Sequence, residues 1–181
     1  MRLFAAIDLS QPTKSVLASF CDELRACAQS GTFSPPENLH LTLAFLGECD
    51  ERQTALARHA VGTVRFAPFS ITVASSGYLD RGRPNLVFCG LRNDRGYDSL
   101  RRLESQLRVN LTAKGLNLEQ RAFWPHITMG RKVVWNDMAG SDIGAKFPVL
   151  EEPVTSIALM KSERIDGRSI YTPILKKELS I

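Results

Sequence analysis

Three histidines are present in the chain, and two of them open the same four-residue pattern. His40-Leu41-Thr42-Leu43 returns as His126-Ile127-Thr128-Met129. In an extended strand, residues two apart point to one face, about 6.6 Å apart along the chain. His40 and Thr42 then share one face, and Leu41 and Leu43 the other. The second copy divides in the same way. The apolar faces are predicted to pack on helices. The polar faces carry groups suited to acid–base chemistry at phosphorus. Imidazole, with an ordinary pKa of about 6.5, takes or gives a proton near neutral pH. A threonine hydroxyl donates to a phosphoryl oxygen without adding charge. Two imidazoles on opposite sides of a cyclic phosphodiester supply a base for water and an acid for the leaving oxygen. Hydroxyl bonds that strengthen as the phosphorane forms lower the barrier.

Other site types find little support. There is no H-E-x-x-H, no P-loop and no G-x-G-x-x-G. Glu48 follows the first motif past Gly47, but Val133 and Val134 stand in that region of the second, so Glu48 is predicted to be a solvated loop residue. The third histidine, His59, has no threonine partner and is predicted to lie on a helix surface. No metal or other cofactor is expected.

Charge points to an anionic partner. Residues 81–132 hold eleven Lys and Arg against four Asp and Glu, within a chain of net charge +4. Arg101, Arg102 and Arg108 fall in a helical stretch, where a solvated face explains them equally well.

The 181 residues, 44% hydrophobic and 23% charged, fit one domain with a sizeable core. Strands are predicted at Leu3–Ile7, Leu39–Leu46, Phe69–Ala74, Leu86–Cys89, Ala122–Met129, Lys146–Val149, Val154–Ser162 and Ser169–Leu179. Pro125 falls inside the fifth, so pairing there should break locally. Helices are predicted from Pro12 to about Ala28 with Ser10 as cap, from Glu51 to about Val64, and from Asp94 to about Ala113. Gly31–Pro36 and Gly77–Pro84 read as loops. The order is an α+β mix, with helices on antiparallel-rich sheets. The repeated motif hints at two related lobes facing each other. Cys21, Cys27, Cys49 and Cys89 lack disulfide or zinc spacing and read as thiols of a reducing compartment. No apolar stretch spans a bilayer or forms a secretory core, so a cytoplasmic protein is expected.

The flanks of the motifs resemble the two-histidine phosphoesterase superfamily, and within it the RNA 2′,3′-cyclic phosphodiesterase branch of the 2′-5′ RNA ligase family. Arg2-Leu3-Phe4-Ala5-Ala6-Ile7-Asp8-Leu9 resembles that branch's opening strand. Asn38-Leu39-His40-Leu41-Thr42-Leu43-Ala44-Phe45-Leu46-Gly47 resembles its first motif, and Phe123-Trp124-Pro125-His126-Ile127-Thr128-Met129-Gly130-Arg131 its second. Tyr171-Thr172-Pro173 resembles its C-terminal strand, so the likeness runs nearly the whole chain. Ala122 departs from it, standing where the branch often has proline.

The resemblance implies a single bilobal domain over residues 1–181, with two pseudo-symmetric lobes of antiparallel-rich sheet and outer helices around a central cleft. It implies metal-independent opening of RNA 2′,3′-cyclic phosphate ends to 2′-phosphates. His40 is then the proton donor and His126 the proton acceptor, an order that the residues alone do not set. Thr42, Thr128 and Arg131 are the implied substrate contacts; a surface cation at a strand end accounts for Arg131 as well. Phe45 and Trp124 are read first as core packing and second as base-stacking platforms. RNA ends and small cyclic nucleotides both fit, and a monomer is expected. Two alternatives stay open: 2′-5′ RNA ligation by the reverse chemistry, and a non-catalytic module that holds a nucleotide or RNA end.

Overall fold

The structure is a computed structural model that describes residues 1–79, 85–136 and 147–181. The predicted α+β mix is present. The elements are β1 (Arg2–Asp8), α1 (Gln11–Cys27), β2 (Ala28–Phe33), a short 3₁₀ turn (Pro36–Asn38), β3 (His40–Glu48), α2 (Glu51–Gly62), β4 (Phe69–Leu79), β5 (Leu86–Leu91), α3 (Arg95–Ala113), β6 (His126–Trp135), β7 (Leu150–Val154), β8 (Ser156–Ile165) and β9 (Arg168–Glu178). The strands form one sheet in the order β7-β4-β5-β6-β3-β1-β8-β9, with β2 added beside β6. Every described pairing is antiparallel.

The sheet divides at its middle. β3 and β6 meet through one ladder pair, Leu41 with Ile127. These residues hold the second position of each motif, so an approximate two-fold axis passes between them. On one side stand β3, β1, β8 and β9; on the other, β6, β5, β4 and β7. Leu41, Leu43, Ile127 and Met129 are buried in the main core with Leu17, Leu100, Leu103 and Leu107 of the helices. Opposite them, Phe4, Ala6, Ala158 and Met160 form a second buried cluster with Tyr171 against it.

Local chemistry sets the helix starts. Ser10 caps α1, accepting from the Thr13 N–H at 3.5 Å, with Pro12 in the first turn. Asp50 and Gln53 form a reciprocal capping box on α2. Asp94 caps α3 through the N–H groups of Gly96 and Tyr97, and accepts from the Thr72 hydroxyl at 2.9 Å. Gly96 is required there, because a Cβ would lie 2.1 Å from the Ser70 carbonyl oxygen.

Several predicted boundaries change. Residues 28–33 form β2, in place of the predicted helix end and loop start. Its residues are mostly exposed, so apolar alternation cannot reveal it; pairing with β6 makes it a strand. Gly77–Leu79 continue β4, and residues 80–84 of the predicted loop, with Arg81 and Arg83, lie outside the described residues. β6 starts at His126, so Pro125 precedes the ladder and interrupts no pairing. Residues 147–149 lie outside any strand, and Lys146 lies outside the described residues. The predicted strand at Val154 is two strands, β7 and β8. His59 is exposed on α2, and Glu48 ends β3, exposed beside the N-terminal amine at 3.3 Å. Cys21, Cys49 and Cys89 are buried free thiols, and Cys27 is exposed. No helix among the described residues is long and apolar enough to cross a membrane.

One buried carboxylate ties the second half's outer strand to the first half. Glu152 on β7 is 1% exposed. It accepts from the Ser10 N–H at 2.8 Å and from the Ser10 hydroxyl at 2.7 Å. Removing it leaves two donors at the head of α1 without their acceptor, a loss of about 1–3 kcal/mol. Glu152→Ala is therefore expected to lower the midpoint of chemical denaturation markedly. Glu152→Gln, which keeps an acceptor, should lower it less, and equal midpoints for the two variants would contradict this account.

Candidate active site

The crossing of β3 and β6 assembles the site. An antiparallel pair at Leu41–Ile127 sets Thr42 level with His126 and His40 level with Thr128. Sheet spacing puts the Cα atoms of the two histidines at diagonal corners, roughly 8 Å apart. All four polar side chains are half-buried, while the residues between them are buried.

The two imidazoles are tethered alike. The His40 Nδ1–H donates to the Asn38 carbonyl oxygen at 2.6 Å, and the His126 Nδ1–H donates to the Trp124 carbonyl oxygen at 2.8 Å. Each ring is thus bound to the carbonyl two residues back, which fixes the tautomer and assigns the chemistry to Nε2. His40 Nε2 lies 3.0 Å from the Thr42 hydroxyl. Asn38 is itself anchored, its side-chain amide donating to the Ser169 carbonyl at 2.7 Å. The Ser34 N–H and hydroxyl hold the Met129 and Thr128 carbonyls at 2.8 Å each.

The surroundings of the rings differ. His40 packs against Phe4, with centroids 4.9 Å apart, and meets the edge of Tyr171 at 5.2 Å. His126 stacks on Trp124 at 4.3 Å and 27°, with Phe88 edge-on at 6.3 Å. The strand neighbours differ too: Asp8 on β1 is opposite His40, whereas Gly90 on β5 is opposite His126. Asp8 carries a 2.6 Å ion pair with the buried Lys14. Burial pushes the His40 pKa below its ordinary value of 6.5. The Asn38 bond and Asp8 charge oppose that shift, and Arg131 and Lys14 add to it.

Backbone irregularities decide what else faces the cleft. Between β1 and β3, Ala5 pairs Ala44 and Ala6 pairs Thr42, so Leu43 is the extra residue. Between β5 and β6, Val87 pairs Gly130 and Phe88 pairs Thr128, so Met129 is the extra residue. Leu43 and Met129 are both fourth residues of their motifs. Each bulge reverses the in–out alternation beyond it. Phe45, of the same parity as Leu41, therefore emerges at 46% exposure into the cleft, and the expected core role is corrected. Arg131 emerges likewise, with Nη2 3.5 Å from the Thr128 hydroxyl. Trp124 also lies outside the core, at 41% exposure, and lines the cleft with His126.

The cleft encloses about 460 Å³ and is lined by Thr42, Phe45, Trp124, His126 and Arg131, with Arg108, Glu119 and Arg121 at one side. The basic region thus divides. Arg108, Arg121 and Arg131 reach the cleft, while Arg101 and Arg102 are exposed on α3. Phe4, Phe88 and Tyr171 escaped the sequence reading as site residues. β1 is a continuous apolar run from Leu3 to Ile7, buried throughout, so its pattern does not single out Phe4. Among the described residues no group of three or more His, Cys, Asp or Glu is arranged to hold a metal ion.

A sequence model of the 2′-5′ RNA ligase superfamily matches residues 13–166. The chain belongs to that superfamily. It is 34% identical to an RNA 2′,3′-cyclic phosphodiesterase of Thermotoga maritima, over 94% of this chain and 91% of the relative. It is 32% identical to the enzyme of the same name from Escherichia coli K12, over 99% of this chain and 97% of that one. The fold is similar to the apo crystal structure of E. coli LigT, with a TM-score of 0.80 at 28% identity over 99% and 98% of the chains. It is also similar to the crystal structure of TT0787 of Thermus thermophilus, with a TM-score of 0.74 at 28% identity and the same coverage. The bilobal two-histidine phosphoesterase fold anticipated from the sequence is the fold of this superfamily member.

The packing around His40 makes its titration testable. Tyr171→Ser removes a ring from its edge and admits water. Desolvation depresses an imidazole pKa, so relieving it raises the value. An NMR pH titration should place His40 below 6.5 in the parent protein and move it upward in Tyr171→Ser. An unmoved midpoint would show that burial is not the cause.

Proposed function

We propose that this protein is an RNA 2′,3′-cyclic 3′-phosphodiesterase that works without a metal, through His40, Thr42, His126 and Thr128. The observation that supports the reading is the Leu41–Ile127 pair, across which strand alternation turns two tethered imidazoles and two hydroxyls to one face of the sheet; Thr42 and His126 line the cleft, and His40 and Thr128 lie beside it. The names of its relatives support the substrate class.

In the proposed reaction the cyclic phosphate lies between the two imidazoles. His126 Nε2 takes a proton from water as the water oxygen bonds to phosphorus. The P–O3′ bond breaks, and His40 gives its Nε2 proton to the departing oxygen. The product is a 2′-phosphate beside a free 3′-hydroxyl. Thr42 and Thr128 donate to the non-bridging oxygens, where charge gathers in the phosphorane. Arg131, held beside Thr128, adds fixed positive charge. Burial makes His40 a ready donor once loaded, and the bound phosphate supplies the negative charge that favours loading. Phe45 supplies an exposed ring for a base. The proposal takes the enzyme as a cytoplasmic monomer of one bilobal domain over residues 1–181.

The assay is hydrolysis of an RNA oligonucleotide bearing a 2′,3′-cyclic phosphate, with the product resolved as 2′- or 3′-phosphate. Turnover should persist in EDTA and yield the 2′-phosphate. No opening, or opening abolished by EDTA, would overturn the reading. His40→Ala and His126→Ala should each lower kcat by at least about a hundredfold, the usual scale for loss of an acid or base. A variant that keeps most of its rate removes that histidine from the mechanism. Excess 5′-hydroxyl RNA in the same assay reveals joining as a longer product. Binding of cyclic-phosphate RNA without turnover would instead favour the holding module.

A polymeric substrate makes a separate prediction. With Arg131 at the cleft, and Arg108 and Arg121 there in ion pairs with Glu104 and Glu119 that a phosphate chain would have to share, KM for an oligonucleotide should rise with salt by counterion release. A flat salt response would point to a small cyclic nucleotide.

A further inference from the structure

Both imidazoles are tethered through Nδ1 to a carbonyl, yet only His126 has an aromatic ring laid nearly parallel to it. The Trp124 and His126 centroids are 4.3 Å apart, with 27° between planes. The Trp124 main chain grips the same residue, since its carbonyl accepts the Nδ1–H at 2.8 Å. Phe88 meets the indole edge-on at 4.8 Å and braces it from β5. Trp124 is 41% exposed, so the indole is not held there by core packing alone. At His40 the corresponding ring, Phe4, is tilted by 39° and buried, and Tyr171 stands at 90°.

We propose that Trp124 is a positioning residue for His126, its indole face orienting the imidazole and stabilising the protonated ring. A cation over an aromatic face is attracted by the ring's quadrupole, most strongly by tryptophan. A base that takes a proton from water ends the step as an imidazolium, so the stacked indole favours the state in which His126 finishes. The carbonyl bond strengthens in that state as well, because the Nδ1–H then belongs to a cation. Other titratable groups lie on the elements around the ring. Arg131 lies on β6, His40 on β3, and Arg108, Glu119 and Arg121 line the cleft beside it; among the described residues β5 contributes only Phe88 and Gly90.

This inference rests on the proposed function for its catalytic meaning, but its first test does not require activity. In an NMR pH titration, Trp124→Leu keeps the carbonyl and removes the aromatic face. The His126 midpoint is expected to fall by about half a pH unit, the size of an exposed cation–π contact. Trp124→Phe should restore most of it. His59, remote on α2, serves as an internal control and should not move. If Trp124→Leu leaves His126 in place while its near-parent melting profile shows intact folding, the proposal fails. It fails also if Trp124→Phe falls as far as Trp124→Leu. Should Trp124→Leu unfold, the Trp124→Phe and Trp124→Tyr titrations decide: both must keep the parent midpoint within about a quarter of a unit. In the cyclic-phosphate assay, kcat should fall several-fold in Trp124→Leu with KM nearly unchanged, and the limb of the pH profile that His126 governs should shift as its titration does. A titration shift in a protein without turnover would preserve the positioning role and overturn the proposed function instead.

Discussion

The site depends on one ladder pair. Leu41 and Ile127 are apolar, buried and joined across the middle of a nine-stranded sheet. Their burial against the helices fixes which way His40, Thr42, His126 and Thr128 point, since a strand that buries one set of side chains must present the next set to the other face. A slip of one residue in either strand would turn a histidine into the leucine core. Strong register specification and catalytic geometry are therefore one constraint. The helices contribute through the far side of the sheet, where Leu17, Leu100, Leu103 and Leu107 hold that core closed.

The bulges add what strict alternation cannot. Each motif ends on one extra residue, Leu43 or Met129, and the chain beyond it reverses its faces. That reversal places Phe45 from one half and Arg131 from the other over the same floor. In the proposed reaction, one side of the cleft offers an aromatic surface and the other a cation. A site built from two similar strands thus presents unlike groups at related positions, because the two bulges deliver different residue types.

Much of this is legible in the sequence. The paired motifs, their period-two alternation and the capped helices state the α+β architecture and the four polar side chains directly. The parity of Phe45 and Arg131 is not legible, because a bulge is a property of two paired strands and leaves no mark in one of them. The strand at 28–33 is hidden for a related reason: its side chains are mostly exposed, and hydrogen bonding to β6 forms it. Its Gly31, with φ of +149° and a Cβ position 3.0 Å from Val133, shows how closely the two backbones meet. Tryptophan is usually packed away, which favours a core reading of Trp124; it lies before β6 begins, where strand parity no longer applies, and its stacking on His126 is visible only in the fold. The aromatic surroundings of His40 come from β1 and β9, far apart in sequence, and only the fold brings Phe4 and Tyr171 together around it.

The pair opposite the histidines carries a further meaning. Asp8 stands beside His40, salt-bridged to Lys14, and Gly90 occupies the related place beside His126. A cleft of true two-fold symmetry would receive an asymmetric guest equally well in either direction, and half of all encounters would present the wrong oxygen to the wrong ring. An acid on one flank and a bare backbone on the other make the two directions unequal in shape and in charge. The departure from symmetry gives the cleft a polarity, a head and a tail, that the repeated motif by itself lacks.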